Sequence, residues 1–401
     1  MFIRRIAGVA LALGFLVGSS VASAQDYKIE VLYAKSHPLF ESYARQMEHG
    51  FNLGMEYLTN GTMTIDGHKV KVLFKDTQGR PDLAKALLTE AYKDDKADLV
   101  IGPSSSGEAL ACLPIAEEFK KVLIVEPAVA DAITGDKWNR YIFRTGRNSS
   151  QDAAAAAAVT MSQGDVSIAV LAQDVAFGKD GINSYKEALQ TMHSKARIVH
   201  EEYVPPQTTD FTAPAQRIFD ALKDKKGLKI LAIIWAGPNP IDKIAALKPE
   251  RFGITLNPGG NELPIMKTWK QYAGLESSIY YYYGFPKNKM NDWFVSHYMK
   301  SFSQPPDFFS CGGFAAASAA VTALRKAKST DSEKLIAAME GMDFDTPKGK
   351  MTFRKEDHQA MQSMYHFRFK QAKDMKGEWD LLELVREIPA KDIPLPIKNK
   401  R

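Results

Sequence analysis

The sequence has few of the residues and patterns that mark enzymes, metal sites or nucleic-acid binding. Its eight histidines are scattered without metal-ligand spacing. Its two cysteines, Cys112 and Cys311, lie far apart in Ala-rich stretches and are expected to be free, buried thiols, with a disulfide bridge as the alternative in an oxidising compartment. The His-Glu-x-x-His, Gly-x-Ser-x-Gly and Gly-x-Gly-x-x-Gly motifs are missing. Its 52 basic and 47 acidic residues are interspersed, without a basic patch. These absences predict a protein that is not an enzyme, needs no cofactor and binds no nucleic acid.

Long apolar runs are also scarce, and the one near the N-terminus has the composition of a secretion signal. Two arginines precede an apolar run over residues 6–17, and residues 22–24 are Ala-Ser-Ala, the small residues of a cleavage site. A run this short does not span a bilayer, which needs about 20 apolar residues. We therefore expect a signal peptide over residues 1–24 and export of the rest. No later segment is expected to insert into a membrane.

Strand-like and helix-like segments alternate in two successive series, over residues 27–144 and residues 149–283. Such alternation predicts parallel sheets with helices on both faces. A helical stretch follows over residues 291–328, and alternating segments beyond residue 349 indicate antiparallel strands. The sequence therefore predicts an α/β fold with two doubly wound parallel sheets.

The segment most indicative of function is the turn over residues 102–107, which reads Gly-Pro-Ser-Ser-Ser-Gly. It follows an apolar strand and precedes a helix-like segment that begins near Glu108. Open α/β sheets bind ligands at the carboxyl ends of their strands, and a helix N-terminus presents N–H groups to an anion. The turn therefore predicts a carboxylate site, with an ordinary capped strand–helix connection as the alternative.

Other short strings follow the remaining predicted strands in a fixed order. They are Asp76-Thr77-Gln78-Gly79, Glu126-Pro127-Ala128, Tyr141-Ile142-Phe143-Arg144-Thr145, Asp174-Val175-Ala176-Phe177-Gly178, Thr209-Asp210-Phe211 and Pro306-Asp307. Together with the serine turn and the leader, these strings resemble the type I periplasmic solute-binding proteins of the Leu/Ile/Val-binding family, which serve ABC importers. The resemblance extends over nearly the whole mature chain.

The resemblance implies two α/β lobes joined by three hinge crossings, with the ligand held between them. Lobe 1 would comprise residues 25–146 and 285–346, and lobe 2 residues 147–284 and 347–401. The lobes would close over a small-molecule carboxylate, because only a ligand that contacts both lobes stabilises the closed form. The resemblance further implies a periplasmic monomer that delivers its ligand to the membrane permease of an ABC importer.

The family's carboxylate-binding positions carry over to two segments of lobe 1. Ser106, with its neighbour Ser105, matches the serine that holds the ligand carboxylate. A hydroxyl and amides at a helix start are suited to this through charge-assisted hydrogen bonds. Ala128 and Ala130 match a loop whose backbone N–H and C=O groups meet the ligand head group. For Ser106, helix capping alone is the alternative role.

Aromatic side chains are the second group of candidate site residues. Phe177 of lobe 2 takes the place of a family aromatic residue, and Phe40 or Tyr43 would form the facing wall on lobe 1. Trp235 follows a strand of lobe 2. Packing within a lobe is the alternative for Phe177 and Tyr43. Arg147, at the first crossing, is a candidate partner for a carboxylate.

One departure from the family pattern bears on the ligand. Family members that bind amino acids have an acid in a Gly-Pro-Glu-Gly-like turn to pair the ligand ammonium, and here Gly259 replaces it. A buried ammonium without a counter-charge costs several kcal/mol. Unless Glu262 or Asp174 supplies the charge, a benzoate or cinnamate-type acid is favoured. An amino-acid binding protein and a ligand-sensing receptor module remain the alternatives.

Overall fold

The first lobe is built on a six-stranded sheet. In the computed structural model the described residues are 26–161 and 163–400, so the expected signal peptide lies outside them. The elements of this part are β1 (Tyr27–Tyr33), α1 (Glu41–Leu58), β2 (Thr64–Ile65), β3 (His68–Asp76), α2 (Pro81–Lys93), β4 (Leu99–Ile101), α3 (Ser106–Phe119), β5 (Val122–Val125) and β6 (Ile142–Arg144). The strand order is β2-β3-β1-β4-β5-β6, parallel except for the β2–β3 hairpin. Strands β4 and β5 are fully buried, which explains their continuous apolar sequence.

The second lobe is built on a four-stranded parallel sheet. Its elements are α4 (Ser149–Met161), β7 (Val166–Gln173), α5 (Ala176–Thr191), β8 (Arg197–Val204), α6 (Thr212–Leu222), β9 (Leu228–Ile234), α7 (Ile241–Ala245), β10 (Ile254–Asn257), α8 (Leu263–Met266) and β11 (Glu276–Ile279). The strand order β10-β9-β7-β8 places the carboxyl ends of β7 and β9 side by side. The expected α/β architecture with two parallel-sheet lobes is confirmed.

The remaining elements complete both lobes. They are α9 (Lys289–Phe302), α10 (Phe308–Ala327), α11 (Ser332–Met339), β12 (Asp343–Thr346), β13 (Gly349–Phe353), β14 (Ala360–Met361), β15 (Met364–Phe369) and β16 (Leu382–Ile388). Strands β12, β13 and β14 form one antiparallel sheet, and β15 pairs with β11 and β16 in another.

The third crossing lies later in the chain than expected. The prediction assigned all of residues 347–401 to lobe 2. Strands β12 and β13 are paired as a hairpin, and Met351, Phe353 and Ala360 pack in the core of lobe 1. The chain therefore crosses after β14, because a crossing before β13 would break the hairpin and expose these apolar side chains.

Helix α10 is a buried core helix. By length and composition alone it could cross a membrane, although no segment beyond the leader was expected to be apolar enough. However, 89% of the residues in its most apolar 18-residue stretch are buried inside the protein. Cys311 of α10 and Cys112 of α3 are both free. Burial raises the pKa of each thiol to about 12, so both are neutral and unreactive at physiological pH.

Candidate ligand-binding site between the lobes

A cavity of about 300 Å³, here called the first cavity, lies between the two lobes. Its lobe 1 wall comes from the start of α1, the turn between β4 and α3, and the loop after β5. Its lobe 2 wall comes from the start of α5 and the loop after β9. Loops at the carboxyl ends of parallel strands from both lobes thus enclose one space, where open α/β sheets bind ligands.

The last two of the three serines in the 102–107 turn, Ser105 and Ser106, have different roles. Ser105 is the N-cap of α3: its Oγ accepts from the Glu108 N–H (3.3 Å), and the Glu108 carboxylate accepts from the Ser105 N–H (3.0 Å). Ser106 is the first helical residue, and its Oγ accepts from the N–H groups of Val129 (3.3 Å) and Ala130 (3.1 Å). The capping alternative therefore applies to Ser105. The Ser106 hydroxyl keeps its own hydrogen to donate, and both serines line the cavity.

Backbone N–H groups converge on the same part of the wall. The first-turn N–H groups of α3 have no partner within the helix, and Ser106 and Gly107 line the cavity there. Ala128 lines it from the facing loop. The turn needs glycine at Gly102, where φ is +113° and a Cβ would overlap the carbonyl oxygen of Leu32. This arrangement gives the wall a partial positive charge that suits a carboxylate.

Ala130 is not among the residues that line the first cavity, so the structure does not place its backbone against this space as predicted. Its N–H donates to Ser106 Oγ (3.1 Å), and its carbonyl accepts from the guanidinium of Arg144 (2.6 Å). Arg144 is fully buried and also donates to Gln359 Oε1 (2.6 Å) and Thr134 Oγ1. Ala130 therefore supports the wall from behind.

The predicted aromatic residues Phe40, Tyr43, Phe177 and Trp235 all line the first cavity. Phe177 is half-buried and belongs to none of the core clusters of the described residues, whereas Tyr43 also packs against a core cluster. The Tyr43 hydroxyl accepts from the Gly237 N–H across the cleft (2.7 Å). The four side chains therefore provide flat apolar walls on both lobes.

Phe308 and Phe309 complete the aromatic wall and were missed in the sequence. The Tyr43 and Phe309 rings lie 3.8 Å apart between centroids, and the Phe308 and Phe309 rings 4.5 Å apart. Asp307 caps α10 and thereby places both phenylalanines in its first turn, against the cavity. The sequence signal that could have identified them is the pair of phenylalanines directly after Pro306-Asp307.

Among the described residues that line the first cavity, Arg147 is the one with a charged side chain. Its Nε lies 3.3 Å from Asp152 Oδ2, and its guanidinium carbon lies 4.6 Å from the centre of the Tyr280 ring. It is mostly buried, at the first crossing between the lobes. The guanidinium stays charged at any physiological pH, and the Asp152 carboxylate compensates much of that charge.

Gly259 lies outside the first cavity and lines an adjoining cavity of about 180 Å³. Of the acids considered as substitutes, Glu262 accepts from the Ser42 hydroxyl and from Gln46 Nε2 (2.7 Å), and Asp174 pairs with Lys179 (2.8 Å). Neither acid lines either cavity. Within residues 26–161 and 163–400, no group of three or more His, Cys, Asp or Glu side chains could hold a metal ion.

Two α/β lobes that enclose an apolar cavity, with a serine turn at its wall, have the architecture of a protein that traps a small solute between its lobes. The chain belongs to the periplasmic binding protein family, whose sequence profile matches residues 27–374. It is the periplasmic solute-binding component of an ABC transporter and is not an enzyme.

Known relatives include proteins described by branched-chain amino acids and proteins described by a bound aromatic acid. A crystal structure of an ABC-type branched-chain amino acid transporter from Rhodopseudomonas palustris is 59% identical, covers 94% of this chain and 100% of that one, and has a TM-score of 0.83. An ABC transporter solute-binding protein from Rhodopseudomonas palustris in complex with 3,4-dihydroxybenzoic acid is 26% identical, with coverages of 91% and 98% and a TM-score of 0.78. The Leu/Ile/Val-binding protein homolog 6 of Brucella melitensis is 24% identical over 375 residues, 90% of this chain and 92% of that protein.

Proposed function

We propose that the protein binds a flat aromatic carboxylate between its lobes and presents it to the permease of an ABC importer. One observation carries the proposal: aromatic side chains line the first cavity on both lobes, the Arg147 guanidinium and the serine turn offer hydrogen-bond donors to a carboxylate, and none of the described lining residues is Asp or Glu. A carboxylate is well matched to this wall. An α-ammonium in the first cavity would meet no Asp or Glu among the described lining residues, and Asp152 of the adjoining cavity is already paired with Arg147. An unpaired buried ammonium costs several kcal/mol. The aromatic rings add stacking and apolar burial for a planar ligand.

The relatives support two candidate ligand classes. The protein bound to 3,4-dihydroxybenzoic acid supports an aromatic acid. The description of the 59% identical protein as a branched-chain amino acid transporter supports an amino acid, which is the second candidate. The charge of the first cavity favours the aromatic acid.

A thermal-shift panel of benzoate, 4-hydroxybenzoate, cinnamate, leucine, isoleucine and valine tests this choice. We expect the aromatic acids to raise the melting temperature, because a ligand at about 100 times its Kd adds about 2.7 kcal/mol to the free energy of unfolding. Acetate at the same concentration is the control for ionic strength. Stabilisation by the amino acids alone would show that the inference from the missing acid is wrong.

Replacing Ser106 with alanine is expected to weaken binding of the best aromatic acid about tenfold, because one hydrogen bond to a charged group is lost. Isothermal titration calorimetry measures the change. Ser296→Ala, at an exposed position of α9, is the matched control and should leave the affinity unchanged. An unaltered Kd for Ser106→Ala would remove this serine from the site.

Ligand affinity is also expected to fall as the pH rises toward 8. Asp307 accepts from the N–H of Leu263 in the facing lobe (2.6 Å), and burial, together with the nearby Glu262 carboxylate, raises its pKa to about 8. When the lobes open, we expect water to reach the Asp307 carboxyl group and its pKa to return toward the ordinary value of about 3.9. Between these two values the closed form holds more protons than the open form, so closure becomes less favourable with rising pH and levels off above pH 8.

Calorimetric titrations from pH 5 to pH 9 measure this dependence. Asp307→Asn is the matched variant, because its side chain does not titrate in this range. Its one amide oxygen accepts from only one of the two N–H groups, of Phe308 and Leu263, so the ligand affinity of the variant is expected to be lower at every pH. Its affinity should be flat with pH. An identical pH profile in both proteins would assign the dependence to another group.

A further inference from the structure

The adjoining cavity, here called the distal chamber, shares part of its wall with the first cavity. Five residues line both spaces: Arg147, Phe177, Trp235, Gly260 and Phe308. The other walls of the distal chamber include Ala153 and Ala156 of α4, Gly181 of α5, and Gly259. These small residues leave about 180 Å³ of space beyond the first cavity. A single-ring acid at the serine turn would leave the distal chamber unfilled.

A row of aromatic rings runs along both spaces. Tyr43 and Phe309 line the first cavity, Phe308 lines both, and Tyr280 lines the distal chamber. Successive ring centroids lie 3.8 Å, 4.5 Å and 5.2 Å apart from Tyr43 through Phe309 and Phe308 to Tyr280. A flat ligand that is long enough can therefore contact aromatic surface along its whole length.

The charges in the distal chamber nearly cancel. Asp152 and Arg147 both line it as an ion pair (3.3 Å), and the Asp152 side chain is 39% exposed. A cationic ligand group here would meet Arg147, and an anionic group would meet Asp152. A neutral hydroxyl avoids both repulsions and donates a hydrogen bond to the Asp152 carboxylate. Ser278 adds a further hydroxyl to the wall.

We infer that the distal chamber receives the hydroxylated end of an elongated aromatic acid whose carboxylate lies at the Ser106 turn. The ligand class is an acid with a ring, a short conjugated side chain bearing the carboxylate, and a hydroxyl at the opposite end. This inference rests on the proposed function and adds a specificity site formed by Ala156, Asp152 and Ser278.

The test compares benzoate, cinnamate and 4-hydroxycinnamate by isothermal titration calorimetry. In the unaltered protein, 4-hydroxycinnamate should bind about tenfold more tightly than benzoate, because two further carbon atoms leave water. Ala156→Leu fills the distal chamber and should reduce this preference to about threefold or less while benzoate binds as before. Asp152→Asn should lower the preference for 4-hydroxycinnamate over cinnamate. Ser278→Leu, on β11, fills the same space from the opposite side and serves if Ala156→Leu does not fold.

The outcomes separate this inference from the proposed function. Equal or tighter binding of benzoate in the unaltered protein overturns the distal site and leaves the proposed function standing. An equal loss of benzoate and 4-hydroxycinnamate binding in both filling variants also overturns it. Binding of leucine with none of the three acids overturns both proposals.

Discussion

Gly313→Ala is expected to lower the free energy of unfolding by about 3 kcal/mol, the upper part of the usual range for overpacking. A Cβ at this position of α10 would overlap the carbonyl oxygen of Met47 in α1 and lie 2.9 Å from the Phe51 backbone nitrogen. Because both neighbours are backbone atoms within a helix, no side-chain rotation relieves the overlap. Urea unfolding followed by circular dichroism measures the loss.

Gly377→Ala is the matched control, because nothing lies within 4 Å of a Cβ added there. Its effect should stay within about 0.5 kcal/mol, as for other surface substitutions. The packing of α1 against α10 also positions residues of the ligand-binding site, because Phe40 and Tyr43 lie at the start of α1 and Phe308 begins α10. We therefore expect ligand binding to weaken with stability in Gly313→Ala. Unchanged stability would show that the two helices can separate without cost.

Arg144→Lys is expected to lower the free energy of unfolding by about 3 kcal/mol, because buried acceptors left unpaired cost about 1–3 kcal/mol each. The guanidinium joins the Ala130 carbonyl behind the ligand wall to Gln359, which lies just before the third crossing. Burial lowers the pKa of Arg144 to about 10, so the side chain remains charged at neutral pH. A lysine ammonium lacks the planar fork that reaches three acceptors at once.

The matched control is Arg140→Lys, four residues earlier in the chain. Arg140 is exposed and pairs with Glu333 at the surface (2.7 Å), so the same substitution should change the free energy of unfolding by less than about 1 kcal/mol. Urea unfolding and ligand titration of both variants provide the comparison. Equal effects at the two positions would contradict the structural role of Arg144.

Much of the architecture could be predicted from the sequence because element type depends on local spacing. The alternation of buried runs such as residues 99–101 with amphipathic helices predicted two parallel-sheet lobes, and the structure has them. The serine turn, Ala128 and the four predicted aromatic residues lie around one cavity. Their binding of ligand stays a prediction. Ala130 lies behind the cavity wall and the third crossing lies later than expected, since a chain position alone does not show which way a carbonyl points or where a hairpin packs.

By itself, the sequence determined the class of fold, the serine turn between a strand and a helix, and the glycine at position 259 in place of an acid. These features are encoded in neighbouring residues, whose spacing and turn chemistry act locally. Only the tertiary structure decided that Phe308 and Phe309 join Tyr43 in one wall, that Ser106 binds the loop after β5, and that Gly259 opens onto a second chamber. Each of these is a contact between segments far apart in the chain, and such contacts depend on how whole helices and sheets pack.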